Sequence, residues 1–364
     1  MANRTEQKER ARELSRAMHI LAGRIGREVR LMEVCGTHTV AIFRHGVRDL
    51  LPPEVKLLSG PGCPVCVTGM RDVDMAVALA ARPGVVLATF GDMMRVPGGT
   101  GSLYTAKASG ADVRVVYSPL NALKLARAEP EREVVFFSTG FETTSPLAAA
   151  TVVQAEEEGV RNFHLLTVNK LVPPALAALL GDNAAAIDGF ILPGHVCAIT
   201  GVGPYEFVAR DHGTPCVVTG FAGMDILEGI FMTLQMIATS APEVKVQYRM
   251  VVRPEGNPAA LRVMYEAFEP ADAYWRGIGT IAGSGLMLRE QYAHRDAARG
   301  LGAGMTVPES TEPRGCSCGS VLRGLKIPTD CPLFGKTCTP EKPVGACMVS
   351  AEGSCAAFYK YGQR

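Results

Sequence analysis

The amino-acid sequence predicts an α/β protein with two parallel-sheet domains and a small cysteine-rich module near the C-terminus. Short continuous apolar segments alternate with helical patterns from residue 29 to about residue 244, which is typical of parallel strands covered by helices on both faces. From residue 300 onward this periodicity is lost, and glycine, proline and cysteine dominate. The length of 364 residues suits two or three domains.

Composition excludes several classes of protein. Lys and Arg number 37 against 36 Asp and Glu, so a net charge of +1 provides no field to hold nucleic acid or an anionic membrane. With 47% hydrophobic and 20% charged residues, the chain is neither disordered nor a coiled coil. The N-terminus is too charged for a secretory signal, and the longest uncharged apolar stretch, residues 229–242, is too short for a membrane span. We therefore expect a cytoplasmic protein.

Each predicted element follows from its local pattern. Leu14, Ala17, Leu21 and Ile25 lie on one face of residues 9–28, so an amphipathic helix is predicted there. Eight apolar segments after it are predicted as strands, at residues 29–34, 55–59, 85–90, 113–118, 133–138, 163–168, 189–193 and 215–219. Helices are predicted between them at residues 39–50, 71–82, 119–128, 145–158, 173–180, 204–212 and 222–239.

We expect the domains to follow one another along the chain. The N-terminal helix, residues 1–28, is expected to pack on the C-terminal domain, residues 244–364. Residues 29–125 and 126–243 are predicted to form one α/β domain each. The turns after residues 138 and 218 both read Thr-Gly-Phe, which fits two related units.

Unusual polar residues lie where the predicted strands end. Cys35-Gly-Thr-His38 follows the first strand, and Cys63-Pro-Val-Cys66 follows the second. Later strands are followed by Gly91-Asp92, Gly140-Phe-Glu142, Asn169-Lys170 and Pro193-Gly-His195. Because ligands of parallel sheets bind outside the carboxyl ends of the strands, these turns predict a functional crevice. Turn geometry alone explains the glycines and prolines, but not the thiols, His38 or Glu142.

The early cysteines indicate redox or metal chemistry. The chain has 11 cysteines, and stable disulfides are rare in the cytosol. Cys63 and Cys66 form a C-x-x-C motif at a strand-to-helix turn, where the helix dipole favours the thiolate. The motif alone does not choose between disulfide exchange and metal binding. Cys35 is expected to approach the pair as a soft metal ligand, with His38 as its partner or a proton carrier.

Several other residues fit either a functional or a structural role. Glu142 is expected to reach the crevice, whereas the neighbouring threonines fit helix caps equally well. His195 is either ligand-facing or structural. Cys197 and Cys216 have no partner at a useful spacing and are predicted to be core residues.

Six cysteines crowd into residues 316–355. Four of them have the spacing C-x14-C-x6-C-x16-C, namely Cys316, Cys331, Cys338 and Cys355. Four thiolates suit a [4Fe–4S] cluster or a structural zinc ion. The absence of a tight C-x-x-C knuckle in this segment favours the cluster. Cys318 and Cys347 remain as substitute ligands or packing residues.

Together these motifs resemble the HypD family of [NiFe]-hydrogenase maturation factors. The resemblance runs from about residue 29 to the C-terminus and is carried by Cys35-Gly-Thr-His-Thr, Gly60-Pro-Gly-Cys-Pro-Val-Cys-Val-Thr, Gly140-Phe-Glu-Thr-Thr, Pro193-Gly-His-Val and the ending CMVSAEGSCAAFYKY. It implies two α/β domains plus a domain carrying an iron–sulfur cluster. It also implies a scaffold that assembles the Fe(CN)₂CO group of the hydrogenase, rather than an enzyme with ordinary turnover.

Partners and ligands are implied in the same way. In the family, iron is held in a complex with the small protein HypC, cyanide comes from HypE with HypF upstream, and the finished group passes to the hydrogenase large subunit. The iron-binding and redox thiols match Cys35, Cys63 and Cys66. The [4Fe–4S] ligands match the four C-terminal cysteines, Cys316, Cys331, Cys338 and Cys355. His38 and Glu142 are expected to manage protons or to hydrogen-bond cyanide.

Two other functions fit part of the pattern. A [4Fe–4S]-dependent thiol–disulfide reductase acting on a partner protein would use Cys63, Cys66 and the cluster, but it leaves Cys35 and His38 without a role. A zinc-stabilised nucleotide-binding protein would need a phosphate loop, and neither Walker A nor G-x-G-x-x-G occurs at a strand end. Infrared bands of bound cyanide and CO would separate the scaffold from the reductase.

Overall fold

A computed structural model describes residues 4–182, 184–307 and 311–362. The outermost parts of the predicted N- and C-terminal domains, residues 1–3 and 363–364, lie outside this range. The helices of the described residues are α1 (Arg4–Ile25), α2 (Gly36–Arg44), α3 (Pro64–Val67), α4 (Met70–Ala80), α5 (Leu103–Ala108), α6 (Pro119–Ala128), α7 (Ser145–Glu157), α8 (Val172–Asp182), α9 (Gly194–Thr200), α10 (Glu206–His212), α11 (Gly223–Ala238), α12 (Pro258–Ala267), α13 (Cys318–Leu322) and α14 (Ser354–Tyr361). The strands are β1 (Val29–Glu33), β2 (Val55–Ser59), β3 (Val85–Thr89), β4 (Val113–Val115), β5 (Glu133–Ser138), β6 (Phe163–Thr167), β7 (Gly189–Pro193), β8 (Cys216–Thr219), β9 (Val244–Val246), β10 (Phe268–Trp275) and β11 (Gly279–Leu288).

The fold is α/β with two parallel sheets, which confirms the predicted class. The first sheet has the strand order β2-β1-β7-β8-β9, and the second has the order β4-β3-β5-β6. All pairs in both sheets are parallel. The eight predicted strands are all present, because their continuous apolar residues are buried by helices on both faces.

The two sheets do not follow one another along the chain. Leu31 of β1 pairs with Gly189 of β7, so the first sheet is completed only after the whole second sheet has been inserted. The predicted boundary at residue 125 therefore falls inside the second sheet, between β4 and β5. Apolar segments report that a strand is buried, but they carry no information about which strand lies beside it.

The N-terminal helix packs on the first sheet's layer, and its predicted packing on the C-terminal domain is wrong. Leu14 and Met18 of α1 are buried in one apolar cluster with Ile230 and Leu234 of α11. Of the predicted apolar face, Leu14 is buried and Ala17, Leu21 and Ile25 are half-buried, whereas Met18 and Ala22, which the prediction did not name, are fully buried. The partner of this helix could not be deduced, because an amphipathic pattern shows that one face is covered but not by what.

The chain after residue 244 contributes to several parts of the molecule. β9 adds a fifth strand to the first sheet, and β10 and β11 form an antiparallel hairpin that the sequence analysis did not predict. Phe268 and Leu286 of the hairpin share an apolar cluster with Phe136 of the second sheet. The segment that contains the six C-terminal cysteines packs on α2 and α3. Within the described ranges, no helix combines the length and the apolar character that a membrane crossing requires.

Candidate functional site

The carboxyl ends of both sheets open into one cleft of about 560 Å³. The first sheet contributes Cys35, which follows β1, and His195, which follows β7. The second sheet contributes Asp92 after β3 and Thr139 after β5. Glu352, from the cysteine-rich segment, completes the lining. The strand-end turns thus meet as parallel topology predicts, although they belong to two different sheets.

Cys35 is placed by a close approach of two loops. The Gly36 amide donates a hydrogen bond to the Gly62 carbonyl over 3.1 Å, and a Cβ atom on Gly62 would lie 2.1 Å from the Cys35 nitrogen. Only glycine therefore lets the loop after β2 lie against Cys35. The Cys35 amide in turn donates to Glu33 Oε2 over 3.1 Å. Glu33 was missed by the sequence analysis because it lies inside the strand rather than in the turn.

The Cys35 thiol is protonated in this environment. Burial raises its pKa to about 12, which outweighs hydrogen bonds from the His38 amide and the Thr37 side chain. At the start of α2, desolvation of the charge therefore exceeds the helix-dipole effect that would favour the thiolate. A metal ion that binds this sulfur must displace its proton.

His38 lies beneath the cleft rather than in its lining. Its Nε2 atom is 3.0 Å from the Gly220 carbonyl and 3.0 Å from Thr219 Oγ1, and its Nδ1 atom is buried without a partner. Burial lowers the pKa of the imidazole to about 4, so the ring is neutral at neutral pH. The ring ties α2 to the end of β8, which positions Cys35 at the cleft.

Glu142 does not reach the cleft. Its side chain is 2% exposed, and Oε1 accepts a hydrogen bond from the Val172 amide over 2.9 Å. Oε2 is buried without a partner, in a region shared with Cys197 and Tyr205. Burial raises the pKa of this carboxyl to about 7. The turn after β5 was correctly located, but its position in the sequence does not determine the direction in which each of its side chains points. Cys197 and Cys216 are buried, as predicted.

Replacing Glu142 with Gln should flatten the pH dependence of stability. The carboxyl binds its proton more tightly when folded, with a pKa of about 7 against 4.5, so the free energy of unfolding falls as pH rises from 4.5 to 7 and then levels off. The fall is on the order of 3 kcal/mol. Urea unfolding of wild type and Glu142→Gln at pH 4.5 and pH 8 measures it, with the exposed Glu255→Gln as control. Parallel pH profiles for wild type and Glu142→Gln would contradict the prediction.

The C-x-x-C motif lies behind one wall of the cleft. Pro64 and Val65 line the cleft, whereas Cys63 and Cys66 are buried and joined as a disulfide with Cα atoms 5.2 Å apart. The Cys66 sulfur is 4.0 Å from the Ala346 carbonyl of the cysteine-rich segment. Of the three thiols predicted to bind metal, Cys35 is the one that remains free. The expectation that the pair lies in an open crevice is wrong, because α3 turns its cysteines into the core.

The C-terminal cysteines converge on a second, small cavity. It is lined by the four predicted ligands and by one additional thiol, Cys316, Cys331, Cys338, Cys355 and Cys318. The Cys347 amide donates to the Cys318 sulfur over 3.4 Å. A Cβ atom on Gly345 would lie 2.7 Å from the Cys316 sulfur, so glycine keeps space open beside the thiols. Soft sulfurs are the donors that an iron–sulfur cluster or zinc takes. Within the described ranges, no three His, Cys, Asp or Glu side chains are placed to hold a single metal ion.

The cysteine-rich segment closes the cleft by contacting both sheets. Thr37 donates a hydrogen bond to Glu352 Oε1 over 2.8 Å, and Ser350 donates to Asp92 Oδ2 over 2.8 Å. A Cβ atom on Gly36 would lie 2.4 Å from the Glu352 carbonyl oxygen, so this contact requires glycine. The sequence analysis did not single out Ser350 or Glu352, although both lie between Cys347 and Cys355.

Fold and site together define an α/β protein that holds cysteine thiols at the junction of two parallel sheets and a cysteine-rich segment. The HypD family model, described as "Hydrogenase formation hypA family", matches residues 9–362. The hydrogenase maturation factor HypD of Rhodobacter capsulatus is 46% identical over 349 residues, covering 94% of this chain and 93% of the relative. The chain belongs to the HypD family of hydrogenase maturation factors, which confirms the resemblance seen in its motifs.

Two further relatives are similar over nearly the same length. The hydrogenase maturation factor HypD of Escherichia coli is 46% identical over 341 residues, covering 93% of this chain and 90% of the relative. A putative hydrogenase expression/formation protein of Methanocaldococcus jannaschii is 43% identical over 336 residues, covering 92% of each. Because the matches extend over nearly the whole length, they include both sheets and the cysteine-rich segment.

Proposed function

We propose that this maturation factor is a scaffold on which the Fe(CN)₂CO group of [NiFe] hydrogenase is assembled, rather than an enzyme with ordinary turnover. The observation that carries the proposal is the position of Cys35. It is a free thiol at the junction of both sheets, in a cleft of about 560 Å³ that has room for a metal ion with diatomic ligands. Family membership supports the role in hydrogenase maturation.

Iron enters this cleft as the cargo and binds the sulfur of Cys35, which gives up its proton. Thiolate sulfur is a soft ligand and suits the electron-rich iron that cyanide and CO prefer. Glu33 and Gly62 hold the Cys35 loop in place through backbone contacts, so the sulfur is positioned before the metal arrives. His195 follows β7, the strand next to β1 in the same sheet, and burial lowers its pKa, so it offers a neutral imidazole to the cargo.

Cys63 and Cys66 exchange two electrons and two protons as disulfide and dithiol. Their helix, α3, borders the cleft on one side and the cysteine-rich segment on the other, which supports a redox role next to the cargo. A [4Fe–4S] cluster bound there would supply one-electron transfer, with four cysteines as its ligands, Cys316, Cys331, Cys338 and Cys355. Hydrogen bonds from Cys318 and Cys347 lower the pKa of Cys355 to about 6, whereas a hydrogen bond with Cys318 and burial raise the pKa of Cys316.

The partners in this proposal are other maturation proteins. HypC holds iron together with this chain, HypE delivers cyanide with HypF upstream, and the hydrogenase large subunit receives the finished group by way of HypC. The cleft offers them an entrance, since Tyr117 at its rim is 93% exposed.

Infrared spectroscopy of the anaerobically purified complex with HypC tests the proposal. The scaffold should carry cyanide and CO stretching bands in a fixed ratio to bound iron, and the bands should be absent from the isolated chain prepared without HypC. A complex that contains iron but has neither band would contradict the assembly role.

The alternative is a [4Fe–4S]-dependent thiol–disulfide reductase that acts on a partner protein. Contact between Cys66 and the cysteine-rich segment favours it. The position of the pair argues against it, because neither Cys63 nor Cys66 lines the cleft, and attack on a partner's disulfide requires an accessible sulfur. Reduction of a partner's disulfide by the complex, without any infrared band, would favour this alternative over the scaffold.

Either Cys63→Ser or Cys66→Ser should abolish hydrogenase maturation while leaving the fold and the visible absorbance of the cysteine-rich segment intact. The disulfide joins residues only three apart, so its removal costs little stability. Hydrogenase activity in cells that depend on each variant measures the effect. Cys197→Ser is the matched control, since Cys197 is equally buried but forms no disulfide. Normal maturation by the Cys63 and Cys66 variants would show that the motif contributes only to packing.

A further inference from the structure

The turn after β5 holds a hydroxyl group whose hydrogen-bonding capacity is unused. Thr139 lines the cleft, its side chain is 4% exposed, and its Oγ1 atom is buried without a hydrogen-bond partner. Buried hydroxyls nearly always find a partner, so such an atom at the edge of a binding cleft indicates a missing ligand. Among the residues that line this cleft, all of them within the described ranges, Thr139 alone has a buried polar atom without a partner.

The neighbouring polar groups are already committed to holding this turn. Ser138 donates to Asn169 Oδ1 over 2.7 Å, and the Asn169 amide group donates to Ser145 Oγ over 3.0 Å. The Lys170 amide donates to the Gly140 carbonyl over 2.9 Å. These bonds fix the backbone on both sides of Thr139, so its side chain is positioned rather than mobile. The turn therefore presents the Thr139 hydroxyl as a donor, and no acceptor in the protein pairs with it.

The ligand must accept a hydrogen bond deep in the cleft. The carboxylates of the lining are acceptors themselves and are engaged, because Asp92 accepts from Ser350 and Glu352 accepts from Thr37. Cys35 lies at the end of the first sheet and Thr139 at the end of the second, so they belong to opposite walls. A metal held by Cys35 would carry its diatomic ligands into the space between these walls. The outer atom of a ligand that faces the second sheet would then be the acceptor.

We propose that the Thr139 hydroxyl donates a hydrogen bond to the nitrogen of a cyanide ligand on the cargo iron. This inference rests on the proposed function, in which Cys35 holds that iron. Cyanide nitrogen carries negative charge and is a strong acceptor, whereas the oxygen of metal-bound CO is a weak one. A donor placed opposite the metal therefore distinguishes the two diatomic ligands, and it retains cyanide during assembly. Sequence analysis had given this role to His38 and Glu142, neither of which lines the cleft.

The test uses Thr139→Val in the complex with HypC, examined by infrared spectroscopy. Valine has the shape of threonine but no hydroxyl, so at least one cyanide band should shift while the CO band stays nearly in place. Thr139→Ser should restore the wild-type position. Thr143→Val is the matched control, because it lines the same cleft without a buried unpartnered atom, and its bands should coincide with wild type.

Thermal unfolding of the metal-free chain supplies an independent readout. Since the hydroxyl has no partner in the protein, Thr139→Val should have a melting temperature equal to or higher than wild type. A lower melting temperature would assign the hydroxyl a structural role and overturn the inference. Unshifted cyanide bands in Thr139→Val would overturn it as well, while the proposed function would stand. If wild type itself lacks the bands, it is the proposed function that fails.

Discussion

Cys35→Ala should remove the cyanide and CO infrared bands of the HypC complex completely. The sulfur of Cys35 is the free thiol in the cleft, and the metal–sulfur bond it forms has no substitute there, because Cys63 and Cys66 are joined to each other. An alanine fills most of the same space, so the circular dichroism spectrum and the absorbance of the cysteine-rich segment should not change. Metal content and infrared spectra of the purified complex, measured on one sample, give the result.

Cys216→Ala provides the control for this experiment. Cys216 is also a buried free thiol of the first sheet. It lies at the start of β8, at the amino ends of the strands and away from the carboxyl ends that form the cleft. Its removal costs about 1 kcal/mol of stability and leaves both bands in place. Bands at wild-type intensity in Cys35→Ala would show that another ligand binds the iron and would contradict the mechanism proposed above.

Cys331→Ala should eliminate the brown chromophore expected of the proposed [4Fe–4S] cluster and unfold the cysteine-rich segment. Five thiols line the cavity at its centre together with Leu333, Phe334 and Met348, so a bound cluster would replace part of a hydrophobic core. Loss of a bound metal group costs more than about 4 kcal/mol, well above an ordinary point substitution. Visible absorbance, iron and sulfide content, and protease cleavage within residues 311–362 measure the two effects separately.

Cys318→Ala is the matched control for the cluster. Cys318 lines the same cavity but is not one of the four ligands that the spacing indicates, so its variant should keep the chromophore. Loss of the chromophore in Cys318→Ala with retention in Cys331→Ala would reassign the ligands. Stoichiometric zinc without iron in the purified protein would replace the cluster with a zinc site.

The strands could be predicted because each one has its own run of apolar residues. The segments 55–59, 133–138 and 189–193 agree with β2, β5 and β7 at both ends, since a turn containing glycine directly follows each run of apolar residues. The order of strands in the sheets could not be predicted this way. Pairing of β1 with β7 depends on contacts between residues far apart in sequence, and no local pattern records them.

The site was predicted to the level of the turn but not of the side chain. Cys35 and His195 line the cleft, as strand-end residues should. Glu142 follows a strand too, yet its carboxylate is directed to the Val172 amide in the interior. Spacing along the chain locates a turn at the sheet edge, while the direction of each side chain depends on backbone angles within that turn. Thr139 and Glu352 were missed because threonine and glutamate are common residues, and no motif or spacing around them indicated a binding role.

The insertion of the second sheet into the first determines the order in which the cleft can form during synthesis. β1 obtains its partner β7 only after the whole second sheet has been translated. Glu352, which closes the cleft against Thr37, follows that residue by 315 positions. Until both segments have been made, Cys35, Cys63 and Cys66 have no cleft around them. In the proposed function, loading of iron therefore belongs to the folded chain.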